Sequence, residues 1–289
     1  MKKAALLSYC FLSLPLSFIG IPIYIYLPKY YNQSFDISLA TTGAILLFTR
    51  LFDTVQDPLF GMMSDRLPRF KKHMIAFGSV ALGLSLFALF RPDIAPSYQI
   101  LYIIIATILT YSFYSLVVIN YQSYLVNLTT KYHYKTFITG SREIFTLIGL
   151  LLAAIIPNVL NNLYGWQQSF AYVTWGFMVV IIIAALLIYF YLPEINIKPR
   201  QVKIKTSILK TIWQRKNLRY FSIIFFFNSL AVATPAALIL FYVDDVLQAT
   251  NYTGLFLTAY FISGVIFMPV WLYLGRLFNK QISWQIALI

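Results

Sequence analysis

Residues 48–72 read FTRLFDTVQDPLFGMMSDRLPRFKK and continue an apolar run that starts near Leu39. The run carries three charged residues, Arg50, Asp53 and Asp57. A charged side chain near the middle of a bilayer costs about 3 kcal/mol by insertion scales, so such residues are usually paired or functional. Spacings of three and four residues place all three side chains on one face of a helix. Two carboxylates and one guanidinium leave one net negative charge, which predicts a site for a small cation, Na⁺ or H⁺.

Pro58 directly follows Asp57 and favours this interpretation. A proline inside a helix lacks the N–H that would bond the carbonyl four residues earlier, here that of Thr54. Hard cations prefer oxygen ligands, so Thr54 is predicted to join Asp53 and Asp57 in a cation site. Arg50 would tune the charge of that site. An alternative stays open, in which Arg50 neutralises one aspartate and the cluster only holds neighbouring helices together.

The composition is that of a polytopic membrane protein. Of the 289 residues, 60% are hydrophobic and 11% are charged, and the mean hydropathy is +0.74. The 22 lysines and arginines outnumber the 9 acids, but basic cytoplasmic loops explain such an excess without any nucleic-acid partner. A single cysteine rules out an intrachain disulfide and a cysteine-rich metal site. The sequence contains no nucleophile–base pattern, so we expect no enzymatic activity, no cofactor beyond the predicted Na⁺ or H⁺, and no metal beyond Na⁺.

Apolar segments long enough to cross a bilayer recur along the chain, since about 20 apolar residues span it as a helix. They predict an all-α fold with eight spans and the start of a ninth. The spans are residues 6–26, 39–63, 74–90, 100–118, 137–159, 170–192, 221–242 and 253–274, and the ninth would begin within 282–289. We expect the first span to be retained rather than cleaved as a signal peptide.

The loops between these segments alternate in charge. Every second loop is rich in lysine and arginine, and the loops between them hold mainly aspartate. Because basic loops stay inside, the pattern predicts a multi-pass protein of a bacterial-type inner or plasma membrane with a cytoplasmic N-terminus. Six spans, a basic linker and further spans predict three parts. These are a six-helix bundle over 1–192, a cytoplasmic linker over 193–219 and an incomplete second bundle over 220–289.

Two motifs resemble those of known transporters. The motif GMMSDRLPR, residues 61–69, resembles the cytoplasmic signature of the major facilitator superfamily, with Pro68 in place of the usual second glycine. The segment RLFDTVQDPLFG, residues 50–61, is similar to the second helix of the melibiose-permease group, the glycoside–pentoside–hexuronide:cation symporters. Weaker similarity extends over the whole chain.

The resemblance implies a fold, a function and a set of site residues. The fold is a major-facilitator-type helix bundle, of which this chain would hold the six-helix N-terminal half and the start of the second half. The function is cation-coupled secondary transport of a small solute, a sugar or glycoside, by alternating access. In the family the two second-helix acids bind the coupling Na⁺ or H⁺, and they correspond to Asp53 and Asp57. The cytoplasmic gating motif corresponds to Gly61, Asp65, Arg66 and Arg69.

The chain departs from the sugar-carrying members of that family in two helices. Those members carry acids in the first and fourth helices. In this chain 6–26 has none, and the fourth helix region offers Val118, Asn120, Tyr121 and Gln122 instead. A related branch carries lysolipids, so a lysolipid-like amphiphile stays open as the solute. A full member has twelve spans, so the chain is interpreted as C-terminally truncated. A non-transporting remnant of a truncated gene is the alternative function.

Two further groups of residues are candidates for the transport path. Tyr121 and Gln122 in the fourth helix region and Asn228 in the seventh span are predicted to line the substrate cavity. Arg142 and Glu143, where the preceding loop enters the fifth span, are predicted to form a gating pair, with a plain helix-end ion pair as the alternative. We expect a monomer that contacts its solute, a monovalent cation and the lipid bilayer.

Overall fold

The computed structural model describes residues 3–91, 96–128, 132–194, 214–249, 252–278, 282 and 285–286. Helices make up almost all of these residues, and no strand occurs among them. The predicted all-α polytopic fold is therefore confirmed. By its internal packing the chain divides into two compact units, one of Met1–Pro199 with Thr258–Ile289 and one of Arg200–Leu257. The three-part division with boundaries at 192 and 219 stays a prediction.

The first span is helical but broken into short pieces. It comprises α1 (Lys3–Phe11), α2 (Ser13–Phe18), a π-helical turn (Pro22–Tyr26) and α3 (Leu27–Phe35). Proline lacks the backbone N–H that a continuous helix requires, and it occurs here at 15, 22 and 28. The π-helical turn begins at one of these prolines and carries Tyr24.

The second span is one continuous helix, α4 (Leu39–Arg66), as the charge pattern predicts. At its start the hydroxyl of Ser38 accepts a hydrogen bond from the backbone N–H of Thr41 at 3.0 Å, which satisfies one of the free N–H groups there. The 28 residues extend over about 42 Å at 1.5 Å per residue, more than the hydrocarbon core of a bilayer. Pro58 lies inside the helix without ending it.

The next spans are α5 (Lys71–Leu89), α6 (Gln99–Leu128) and α7 (Tyr132–Tyr191). Short 3₁₀ turns, Pro68–Phe70 and Pro96–Tyr98, precede α5 and α6. The 60 residues of α7 are two helices in succession, because Gly165 has φ 75° and ψ 168°, a conformation outside the helix that favours glycine. The arms 132–164 and 166–191 hold most of the predicted fifth and sixth spans.

The remaining helices are α8 (Lys216–Phe241) and α9 (Thr253–Leu277). α8 contains Pro235 and passes into a π-helical turn, Tyr242–Val246. With 26 and 25 residues, both helices are long enough to cross a bilayer, and they hold the predicted seventh and eighth spans. Most of the predicted linker and most of the predicted ninth span lie outside the described residues.

Four stretches of the described chain are both long enough and apolar enough to span a membrane: Lys3–Phe35, Pro68–Leu89, Gln99–Val126 and Phe137–Tyr191. The last of these holds both arms of α7 and so accounts for two predicted spans. α4 has the necessary length, but Arg50, Asp53 and Asp57 interrupt its apolar sequence. The chain is an integral membrane protein, and the cytoplasmic placement of its N-terminus stays a prediction.

The helices between residues 3 and 191 pack around α5, α6 and α7. α5 contacts both α6 and α7, α4 contacts α6, and α1 and α2 contact α7. Glycines mark close approaches, since a Cβ at Gly78 would lie 2.8 Å from Val117 on α6. Likewise, a Cβ at Gly83 would lie 2.9 Å from Ile181 on α7. Small residues let membrane helices approach closely, which matters because lipid and helix are equally apolar.

Three tyrosines cap the end of α5. A helix leaves its last carbonyls without internal partners, and that is costly where water is absent. The tyrosine hydroxyls donate hydrogen bonds to three successive carbonyls: Tyr102 to Ala88, Tyr31 to Leu89 and Tyr30 to Phe90. Two of the donors lie on α3 and one lies on α6, so the caps join three helices.

Two serines and a glycine join the first span to α7. Ser13 donates to the carbonyl of Arg142 at 2.9 Å, and Ser17 donates to that of Thr146 at 2.8 Å. Further along α7, a Cβ at Gly149 would overlap a backbone carbonyl of α2 and the hydroxyl of Ser17. The backbones of α2 and α7 are therefore in close contact.

Replacing Gly149 with alanine should destabilise the protein, because the added methyl group has no room between α7 and α2. Overpacking of this kind costs about 1–3 kcal/mol. The matched control is Gly140→Ala in the same helix, where a Cβ meets nothing within 4 Å. That change should be neutral or should stabilise the helix by up to about 1 kcal/mol, because alanine favours helix. Thermal unfolding in detergent measures both variants, and equal shifts in Tm would contradict the close contact.

Candidate functional site

The charged cluster of α4 is joined to α6 through Asp53. This buried carboxylate has Oδ2 3.3 Å from Arg50 Nη1, and its Oδ1 accepts a hydrogen bond from Ser115 at 2.7 Å. The ion pair follows from the three-residue spacing on α4, whereas Ser115 comes from the fourth span. Both carboxylate oxygens therefore have partners, as a buried charge requires.

The guanidinium of Arg50 lies between two tyrosine rings. Its Cζ is 4.6 Å from the ring centre of Tyr24 and 4.5 Å from that of Tyr111. An aromatic face attracts a cation, and the attraction strengthens where water is partly excluded. Tyr24 lies in the π-helical turn of the first span and Tyr111 lies on α6, so three spans meet at one guanidinium.

Asp57 lies one turn further along α4, in different surroundings. Among the described residues it forms no ion pair, and its buried Oδ1 has no hydrogen-bond partner. An unpaired buried carboxylate oxygen is costly, so such an atom calls for an explanation. Arg50 offsets the charge of Asp53, and Asp57 adds a second negative charge without a counter-charge beside it.

Thr54 lies on an exposed part of α4, and its hydroxyl donates to the carbonyl of Arg50 at 2.9 Å. Pro58 stands four residues later and has no N–H to offer the Thr54 carbonyl. The hydroxyl of Thr54 thus forms a hydrogen bond within α4. Its backbone carbonyl is the group that a cation could use as a ligand. No cluster of three or more His, Cys, Asp or Glu side chains that could hold a metal ion occurs in the described part of the chain.

Sequence reasoning missed the partners of α4 on α6. Besides the contact of Ser115, the hydroxyl of Ser112 donates to Oε1 of Gln56 at 2.9 Å. Two serines one turn apart in an apolar span are a signal of a polar helix contact, since hydroxyl groups bridge helices in membranes. Local spacing does not identify their partners, because 62 residues separate Ser115 from Asp53 and 56 separate Ser112 from Gln56.

The three predicted substrate-cavity residues lie in different surroundings. Tyr121 is buried: its ring stacks on Tyr9 with centres 4.3 Å apart, and each hydroxyl donates to the other residue's carbonyl at 2.8 Å. Gln122, next to it on α6, is exposed. Asn228 lies on α8, where its buried Oδ1 has no hydrogen-bond partner among the residues described. The part of these residues in binding solute stays a prediction.

The predicted gating motif lies at the end of α4 and in the turn that follows. Gly61 is on the helix, Asp65 and Arg66 are exposed in its last turn, and Arg69 is exposed in the 3₁₀ turn. Within the described chain, Asp65 forms no ion pair. The gating role of these residues stays a prediction.

Arg142 and Glu143 form an ion pair, with Nη2 and Oε1 3.1 Å apart. The guanidinium also lies 5.7 Å from the ring centre of Tyr121. α7 begins at Tyr132, so the pair lies inside the helix, more than two turns from its start. The structure thus brings the predicted pair together, and its part in gating stays a prediction.

The similarity to known proteins extends over nearly the whole chain. The family model described as MFS/sugar transport protein matches residues 8–289. The inner membrane symporter YicJ of Escherichia coli is 24% identical over 251 residues, which make up 84% of this chain and 55% of that protein.

Two further relatives match to a similar degree. The uncharacterized symporter YjmB of Bacillus subtilis is 24% identical over 277 residues, 89% of this chain and 58% of that protein. The isoprimeverose transporter of Lactiplantibacillus pentosus is 25% identical over 203 residues, 65% of this chain and 42% of that protein. The chain therefore spans about half the length of the curated relatives that it matches.

Replacing Arg50 with alanine should destabilise the protein by about 1–3 kcal/mol, because the buried Asp53 carboxylate loses its partly exposed counter-charge. Removing both charges, in Arg50→Ala/Asp53→Asn, should restore most of that stability, since replacing both partners of a buried pair is often neutral. Thermal unfolding of these variants and of Asp53→Asn alone completes a double-mutant cycle. A double variant as unstable as Arg50→Ala would show that the guanidinium acts mainly through its tyrosine contacts.

Proposed function

We propose that this chain, which belongs to the MFS/sugar transport protein family, forms part of a cation-coupled secondary symporter. Its solute is a small molecule of the sugar or glycoside class, and Na⁺ or H⁺ is the coupling ion. The names of its relatives support this proposal, since one is an inner membrane symporter and another an isoprimeverose transporter. The chain spans about half of each of these proteins, so its activity and its solute are proposals.

The unequal surroundings of the two aspartates on α4 carry the proposal. Asp53 has an arginine and a serine as partners, whereas the buried Oδ1 of Asp57 has no hydrogen-bond partner among the described residues. The cluster of Arg50, Asp53 and Asp57 keeps one net negative charge inside an apolar span. A cation at Asp57 would neutralise that charge and use the unpaired oxygen as a ligand.

The ligand set suits a hard monovalent cation or a proton. Asp57 offers a carboxylate oxygen, and Thr54 offers a backbone carbonyl that Pro58 leaves without its usual helical partner. Arg50 holds Asp53 in place, so the charge at the site is minus one rather than minus two. One bound positive charge then makes the cluster neutral, which is the least costly state for it in a membrane.

Cation binding is coupled to solute binding if the cluster of Arg50, Asp53 and Asp57 favours one conformation with a bound cation and another without it. A ligand shifts a conformational equilibrium only by its difference in affinity between the two states. A cation at Asp57 would favour the conformation in which the solute site is formed, and loss of the cation would release the solute. In transporters built from two bundles, such a shift moves one bundle against the other around a site near the bilayer midplane.

The test is transport by the full-length protein in proteoliposomes, with a panel of labelled sugars and a lysolipid, with and without a Na⁺ or pH gradient. Asp57→Asn should abolish cation-stimulated uptake, because the amide keeps the size but not the charge that offsets the dehydration of the cation. Expression and insertion should be unchanged, since a neutral amide costs less in the bilayer than a carboxylate.

The matched control is Asp36→Asn, which removes an exposed carboxylate between α3 and α4. Asp36 has φ 55°, a left-handed conformation that asparagine tolerates, so the fold should be retained. This variant should keep full cation stimulation. Unchanged cation dependence in Asp57→Asn would mean that the acids of α4 are structural partners of Arg50. Uptake of the lysolipid and of no sugar would instead assign the solute to the amphiphile class.

A further inference from the structure

A group of basic and aromatic side chains lies where α5 begins and α7 ends, and the proposed function makes no use of it. Lys72 Nζ is 5.4 Å from the ring centre of Tyr189. The ring of His73 lies between two others, 5.8 Å from that of Tyr189 and 6.1 Å from that of Phe70. We name these four residues the basic aromatic patch. Lys72 is half-buried, and His73, Phe70 (55%) and Tyr189 (46%) are exposed.

The patch continues into an apolar stripe along α5. His73, Phe77 and Leu84 recur at spacings of four and seven residues, so they share one helix face. Phe77 is 65% exposed and Leu84 is 56% exposed. From His73 to Leu84 the helix rises about 16 Å, close to half of the roughly 30 Å hydrocarbon core of a bilayer. The stripe therefore has the length of one leaflet, with the basic groups at its polar end.

The basic groups of the patch have no acidic partner in the described chain. Neither Arg69, which is exposed in the preceding turn, nor Lys72 forms an ion pair there. Lys71, between them, points inward and donates to Ser123 on α6, so it is not available to a ligand at the surface. Arg69 and Lys72 thus bring two positive charges to the start of the apolar stripe, and neither charge is in an ion pair among the described residues.

We propose that the basic aromatic patch, with Arg69, binds one anionic phospholipid. The headgroup phosphate would contact Arg69 and Lys72, and one acyl chain would lie along Phe77 and Leu84. Charge complementarity selects an anionic headgroup over a zwitterionic one, because an ammonium group in the headgroup would face the same two cations. The aromatic rings suit the headgroup level, where amphipathic rings gather in membrane proteins.

The test is lipid binding to the purified full-length protein by native mass spectrometry. Phosphatidylglycerol and phosphatidylethanolamine with the same acyl chains are titrated separately. Phosphatidylglycerol should bind at least tenfold more tightly than phosphatidylethanolamine and should raise Tm. The double variant Arg69→Gln/Lys72→Gln should lose at least tenfold in affinity for phosphatidylglycerol and lose the rise in Tm. Arg69→Lys/Lys72→Arg keeps both charges and should keep the preference.

The matched control is Lys29→Gln. Lys29 is an exposed lysine whose Nζ lies 5.2 Å from the ring centre of Trp166, so it makes the same kind of contact elsewhere. This variant should bind phosphatidylglycerol as the unaltered protein does. Equal binding of the two lipids, an equal loss in Lys29→Gln, or displacement of the lipid by millimolar inorganic phosphate would each overturn the proposal. The first two results would indicate non-selective lipid contact, and the third would indicate a site for small anions.

Discussion

A charged carboxylate buried in a membrane span is costly without a counter-charge, and the pairing of Asp53 joins the second, first and fourth spans. Asp53 keeps its charge balanced through Arg50 and takes a hydrogen bond from Ser115. The guanidinium in turn lies between Tyr24 and Tyr111, which belong to the first span and to α6. Apolar packing alone favours contact between membrane helices only weakly, because the lipid around them is equally apolar. The polar contacts around Asp53 therefore fix which faces of the three spans meet.

The same constraint separates the roles of two residues of one type. Asp53 and Asp57 share a helix face, yet one has two partners and the other has a buried oxygen without a hydrogen-bond partner in the described chain. One arginine cannot offset two carboxylates, so the second charge needs a mobile positive charge or must be neutralised by a proton. Cation coupling is proposed because of this imbalance, since a purely structural pair does not need the second acid.

The sequence alone was sufficient to predict the family, the helical fold and the face of α4 that carries Arg50, Asp53 and Asp57. Charge spacing and hydropathy are local signals, so they can be read without knowing how the helices pack. The resemblance to the major facilitator superfamily is confirmed by a family match over residues 8–289. The partners on other helices were not predictable, because Ser115 lies 62 residues from Asp53 and no spacing rule covers that distance. The same holds for Tyr121, whose burial depends on a reciprocal pair with Tyr9, 112 residues away.

The first span links the two ion pairs of the described chain, and its broken helix explains how. Near its middle, the π-helical turn presents Tyr24 to the guanidinium of Arg50. Toward its start, Tyr9 stacks on a tyrosine of α6 that lies beside Arg142, and Ser13 donates to the backbone carbonyl of the same arginine. A straight helix repeats its faces every 3.6 residues, whereas a π-helical turn shifts the face of the residues that follow. The breaks in this span therefore allow its π-helical turn to contact α4, while its first two short helices contact α6 and α7.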